Sequence, residues 1–217
     1  MKVKTSQQLY AYWNGLRGSR IAPRRFEVEP SAISTILPDT FILEREDRHE
    51  YMFRLAGTRI CDSFGREFRG RNLLDLWSPE DREVVIRVLE SVTRDGGVGL
   101  IGLMAGDESA HTAAFELLLL PLVHTGQSIT RVLGSLAPLS ALPAFLPQNF
   151  SRVELSRFEV IWPDGRPHAV ISRTSAPAPF LRDLGPSRLV RADRRSFRVY
   201  DGGRKATEPE TGPTGSK

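Results

Sequence analysis

Cysteine is nearly absent. Cys61 is the only one in 217 residues, which excludes an internal disulfide and a multi-cysteine zinc site. Its apolar-patterned surroundings make it an expected buried small hydrophobe, and it fits neither a flavin-adduct motif nor a cysteine paired with a base. There are four histidines, His49, His111, His124 and His168, and no pair has the i, i+4 or H-E-x-x-H spacing of a metal site. One proximal histidine suffices for haem, so His49 and His111 bear on that chemistry, yet a lone strand-end histidine is ordinarily solvated. The expectation is no metal, no haem and no flavin, with room left for an unidentified small ligand. No apolar run approaches the roughly 18–20 residues that cross a bilayer. The opening MKVKTSQQLYAYW has charge without the apolar centre of a signal peptide, so a cytoplasmic chain without membrane insertion is expected. There is no G-x-x-x-x-G-K phosphate loop, no G-x-S-x-G elbow and no nucleophile–base–acid set. No catalytic residues are assigned, and an enzyme is not expected.

What is present is a chain with the balance of a soluble globular protein, 40% hydrophobic and 26% charged. The charge is uneven. Residues 1–150 carry 17 Lys and Arg against 18 Asp and Glu, whereas residues 151–217 carry 13 against 8. Any attraction to nucleic acid therefore acts through the tail.

Leu9, Tyr12, Trp13 and Leu16 recur at helical spacing and predict an amphipathic helix stopped near Gly18. An arginine-rich stretch leads to a short helix after Glu29 or Ser31, ended by Pro38. Thr40–Glu46 and His49–Leu55 read as an antiparallel hairpin turning at Asp47 and Arg48, with Tyr51, Phe53 and Leu55 on one face. Short helical turns over 56–68 break at Gly65. Ser78-Pro79-Glu80-Asp81 starts a helix, with a capping serine, proline in the first turn and acids at the positive end of the dipole. Strands follow at 98–104, 111–122 and 129–137. Strands flanking a helical insertion argue for α+β with an antiparallel sheet. From Pro138 onward prolines recur, although RFEVIW (157–162) and SFRVY (196–200) have strand character, and residues 206–217 lack the apolar content to pack.

This order is similar to that of PAS domains. The strings YWNGLRGSRIAPRR (12–25), ILPDTFILE (36–44) and YMFRLAGTRICDSFGREFRGRNLLDLW (51–77) resemble the alphaproteobacterial single-domain PAS family once classed as a domain of unknown function, over about residues 5–147. The resemblance implies a five-stranded antiparallel sheet with inserted helices behind an amphipathic N-terminal helix, and a non-enzymatic role in bacterial signalling. The expected division is a helical extension (1–38), a PAS-like domain (39–147) and a basic Pro/Arg-rich tail (148–217), partly ordered to 205.

Three candidate surfaces follow. Tyr51, Phe53, Phe64, Leu73, Trp77, Phe115, Leu117 and Leu119 form an inner face compatible with either a ligand pocket or a filled core. Arg66, Arg69 and Arg71 either bind an anion or an acidic partner or form ion pairs with Glu67 and Asp75. The same alternative, anion binding or tethering through carboxylates, applies to Arg17, Arg20, Arg24 and Arg25. The strand at 114–120 is apolar on both faces, so Leu118, Leu120 and Leu133 need a cover. Leu9, Tyr12, Trp13 and Leu16 supply one, either on the chain's own sheet or by pairing with a copy in a homodimer. A signalling protein partner is expected. The rival reading is nucleic-acid binding through the arginine-rich tail.

Overall fold

The computed structural model describes residues 1–163 apart from 109–110, 125, 127 and 143–148, together with the backbone of strands at 169–172, 188–192 and 195–199. The apolar stripe at the N-terminus forms helix α1 (Lys4–Arg17), closed by Gly18. After three short 3-10 turns come β1 (Thr40–Arg45), β2 (Tyr51–Ala56), α2 (Thr58–Phe64), a further 3-10 turn and α3 (Pro79–Asp95). Strands β3 (Val98–Gly106), β4 (Thr112–Val123), β5 (Ile129–Pro138), β6 (Arg152–Ile161) and β7 (Ala169–Ser172) complete this unit. A second unit, 175–217, contains the hairpin of β8 (Arg188–Ala192) and β9 (Arg195–Val199). Residues 206–217 lie outside the described residues.

The main sheet is antiparallel, in the order β2-β1-β5-β4-β3-β6-β7. Its first five strands are the expected PAS-like set. The expected division at 147 falls before β6, which pairs with β3 over nearly its whole length. Without β6, the all-apolar β3 would present a bare edge to solvent. Two carboxylates fasten β6. Ser78 caps α3 as expected, its Oγ accepting from the Asp81 N–H at 3.2 Å. The buried Asp81 carboxylate then accepts from the Leu155 N–H of β6 at 2.9 Å. Glu116 of β4, with no exposed surface, pairs with Arg157 of β6 at 3.3 Å. Both face Gly102 of β3 in register. A methyl group on Gly102 would stand 2.8 Å from Arg157 Cγ, so glycine there clears the path for the guanidinium to reach Glu116.

Three local readings are corrected. Pro38 does not end a helix after Ser31. It lies inside a second 3-10 turn, Leu37–Asp39, which follows the turn Pro30–Ile33. Asp47 and Arg48 are not a two-residue turn but part of a wider loop closed by the Glu46 N–H on the Glu50 carbonyl. Leu55 does not share the buried face of Tyr51 and Phe53. The β1–β2 register shifts between Ile42 and Leu43, leaving an extra residue on β2. Such a bulge turns the following side chain to the other face, and Leu55 is 51% exposed.

Candidate functional site

The inner-face candidates Tyr51, Phe53, Phe64, Leu73, Trp77, Phe115, Leu117 and Leu119 all lie buried in one cluster between the sheet and α2/α3. Rings touch in series, Phe41 to Phe53 to Phe68 to Phe64, and Phe64, Phe115 and Phe150 contact one another. Centroids are 5.1–6.0 Å apart, mostly tilted or edge-on, as ring quadrupoles favour. Phe41, Phe68 and Phe150 join this set without having been singled out in the sequence. Tyr51 lies 3.4 Å from Thr93 Oγ1, and burial pushes its phenol pKa up. Cys61 is buried here as expected, and loss of solvent raises its thiol pKa, with the Glu67 carboxylate adding to the effect.

On the opposite face, Leu118, Leu120 and Leu133 meet α1. Leu9 and Trp13 are fully buried against them, with Tyr12 and Leu16 packed at the margin. The seam is pinned at both ends. The Trp13 indole N–H donates to the Pro121 carbonyl at 2.8 Å. At the start of α1, the N–H groups of Lys2 and Val3 donate to the Glu116 carboxylate at 2.8 and 3.2 Å. An acid supplied by the sheet thus caps a helix that has no capping side chain of its own. Between these pins the hydroxyls of Ser6 and Ser135 are buried with no hydrogen-bond partner among the described residues.

The arginines disperse. Arg66 stacks over Phe68 and Phe64, its Cζ at 5.2 and 6.0 Å from the ring centroids. Its pKa is lowered by burial, then by Arg71. It borders a polar cavity of about 460 Å³ with Asp107, Glu108, Asn149 and Ser151. Arg71 donates to the Glu67 carbonyl rather than its carboxylate, Asp75 pairs with Arg82, and Arg69 is exposed. The expected pairs with Glu67 and Asp75 therefore do not form. Arg20 pairs with Glu27 at 2.9 Å, and that hydrogen bond holds the Glu27 carboxyl below its ordinary pKa. Arg17 lies over Trp13 and donates to the Asn14 side chain. His111 is tied to Asp107 at 2.9 Å, His49 is exposed, and His168 lies outside the described residues. Among the described residues no group of three or more His, Cys, Asp or Glu is placed to hold a metal.

A second feature was not read from the sequence. The 3-10 turns over 25–39 stand off the edge of the sheet and enclose a groove of about 400 Å³ over β1, the end of β2 and Leu133. Val28, Ile33, Ile42 and Leu133 are buried in its wall, while Leu37 and Leu55, 41% and 51% exposed, form its lips. Gly57 closes one end. Its N–H donates to the Thr40 carbonyl at 2.8 Å, and a methyl there would lie 2.1 Å from the Pro38 carbonyl oxygen, so any other residue would force the turn away. The sequence signal was the pair Val28 and Ile33, five residues apart and so not on one helical face.

Comparison with known families matches residues 1–137 to the PAS domain, a match spanning α1 to β5 and more than half the chain. The chain belongs to the PAS domain family. PAS domains are sensory and regulatory modules, and α1, which the sequence set apart as an extension, falls inside the matched region. Comparison with curated proteins finds no match. Solved structures similar to this PAS chain include a light-oxygen-voltage domain described with a flavin analogue, at 19% identity, covering 51% of this chain and 83% of that one, with a TM-score of 0.41. An RNA-binding light-oxygen-voltage receptor is 14% identical over 52% of this chain and 33% of its own, also at 0.41. The light-state domain of the blue-light photoreceptor Aureochrome1 is 16% identical over 51% and 88%, at 0.39. Among the described residues no helix is long and apolar enough to cross a membrane.

Proposed function

We propose that this PAS chain is a non-enzymatic regulatory module of bacterial signalling, located in the cytoplasm, which works by exchanging the cover of its outer sheet face. In the free chain α1 is that cover. In the signalling complex an apolar helix of a protein partner, or α1 of a second copy, takes its place. The observation that carries this reading is the seam itself, held by Trp13 and Glu116 at its ends and burying the unpaired hydroxyls of Ser6 and Ser135 in between. A buried hydroxyl without a partner costs about 1–3 kcal/mol, so the seam is weaker than its apolar area implies and α1 is suited to leave. The same contacts formed between chains give a symmetric dimer at little cost.

The test is sedimentation of the full chain over a range of concentrations, with native mass spectrometry of protein purified from its own host. Concentration-dependent dimer, or a retained protein partner, is expected, and Trp13→Ala should shift that equilibrium. A chain that stays monomeric at every concentration and carries no partner would sink the reading.

A further inference from the structure

The groove between the 3-10 turns and the β1–β2 edge shares Leu133 with the α1 seam and Phe41 with the packed core, yet no residue of α1 or α3 lines it. Its wall is apolar and its lips leave leucines exposed to water, an arrangement that persists on a soluble protein when something covers it. Its volume, about 400 Å³, is that of a small-ligand pocket rather than a packing defect. Of the residues lining it, Arg25 alone is ionisable. Of the nearby acids, Glu27 pairs with Arg20 and Asp39 with Arg59, while Glu29 is exposed and does not line the groove. Arg25 itself has no ion pair or side-chain hydrogen bond among the described residues. An apolar trough with one uncommitted guanidinium at its rim complements a molecule with an apolar body and one anionic end.

We propose that this groove binds a small amphipathic carboxylate, its body along Val28, Ile33, Ile42 and Leu133 and its charged end against Arg25. A body of about ten carbons is in keeping with a pocket of this volume, and each buried CH₂ adds about 0.8 kcal/mol along a trough whose polar side chains besides Arg25 are the hydroxyls of Ser34, Thr40 and Thr58. Ligand binding here does not require the cover exchange proposed above, although Leu133 belongs to both surfaces.

Calorimetric titration of the full chain tests this with decanoate, its uncharged counterpart decanol, and 4-phenylbutyrate, all below their aggregation limits. Wild type is expected to bind decanoate saturably at one site, with phenylbutyrate reporting whether an aryl body is also accepted. Arg25→Gln should weaken decanoate about tenfold, the loss of roughly 1.4 kcal/mol, and leave decanol unchanged. Ser34→Trp, which fills the groove from an exposed position, should abolish both while keeping the wild-type unfolding midpoint. Absence of saturable decanoate binding to wild type, or unchanged binding in Ser34→Trp, overturns the site. Decanoate binding indifferent to Arg25→Gln overturns the assignment of an anionic ligand.

Discussion

Single side chains show how far burial governs this chain. Trp13 is fully enclosed and spends its indole N–H on Pro121, so Trp13→Ala removes a large ring and strands a carbonyl. A loss of about 3–5 kcal/mol is expected, the range for truncating a buried tryptophan, and a shift below 1 kcal/mol in urea unfolding would show that the helix is not seated as described. Cys61 has its thiol pKa raised by burial, which suppresses the thiolate that reacts. Its modification by a disulfide reagent should therefore be limited by unfolding, and reaction at the rate of an exposed thiol would contradict the packing. Asp39 provides a pH test. Burial raises its carboxyl above the ordinary 3.8, against the pull of Arg59. The folded chain then holds this proton more tightly than the unfolded chain, and the stability contributed falls as pH climbs from 3.8 through the raised value. Asp39→Asn cannot ionise, so its stability relative to wild type should improve steadily over that window. A difference that stays constant with pH would show that Asp39 titrates normally.

At the level of elements, the interesting joint is α1 on the sheet. Its apolar contacts are good, yet Ser6 and Ser135 bring hydroxyls into the seam with no partner among the described residues. Replacing either by alanine removes a desolvated polar group at almost no loss of volume. Ser6→Ala and Ser135→Ala should each leave stability equal or raise it by up to about 1 kcal/mol, and should hold α1 more firmly, read as slower amide exchange in residues 4–17. Losses above 1 kcal/mol would show that the hydroxyls are satisfied after all. Strand β6 is a joint of another kind, because carboxylates from α3 and β4 add to its ladder with β3 and to the burial of Val153 and Leu155.

For the whole molecule this makes the sheet larger than its family match. A chain ending at 147 would lose β6 and leave β3 as an edge, with Asp81 losing the Leu155 N–H and the fully buried Glu116 losing Arg157 while keeping the N–H groups of Lys2 and Val3. A chain ending at 174 keeps all three. The longer piece should unfold cooperatively near the wild-type midpoint, and the shorter one should lose several kcal/mol, as expected when a buried charge is left unpaired. Equal midpoints for the two pieces would show that β6 is an accessory.

The sequence alone determined whatever depends on neighbours a few residues away. The period of 3.6 in Leu9–Leu16 and the capped start at Ser78 specified α1 and α3, apolar runs between turn residues, alternating in 49–55, specified the five central strands, and the two-faced apolar strand at 114–120 called for a cover on both sides. Tertiary structure decided the rest, because each remaining feature depends on a partner far along the chain. The position of β6 beside β3 draws, besides its ladder and its buried Val153 and Leu155, on Asp81 and Glu116, whose roles at a helix start and mid-strand look purely local in one dimension. The fate of Leu55 turned on a bulge set by pairing with β1, and one inserted residue reverses a face that alternation alone assigns. Arg66 stacked on Phe64 and Phe68, Arg71 took the Glu67 carbonyl rather than its carboxylate, and Asp75 paired with Arg82. The groove exists only because Gly57 lets the 3-10 turn at Pro38 settle against the sheet edge, a close approach of backbones that no periodicity records.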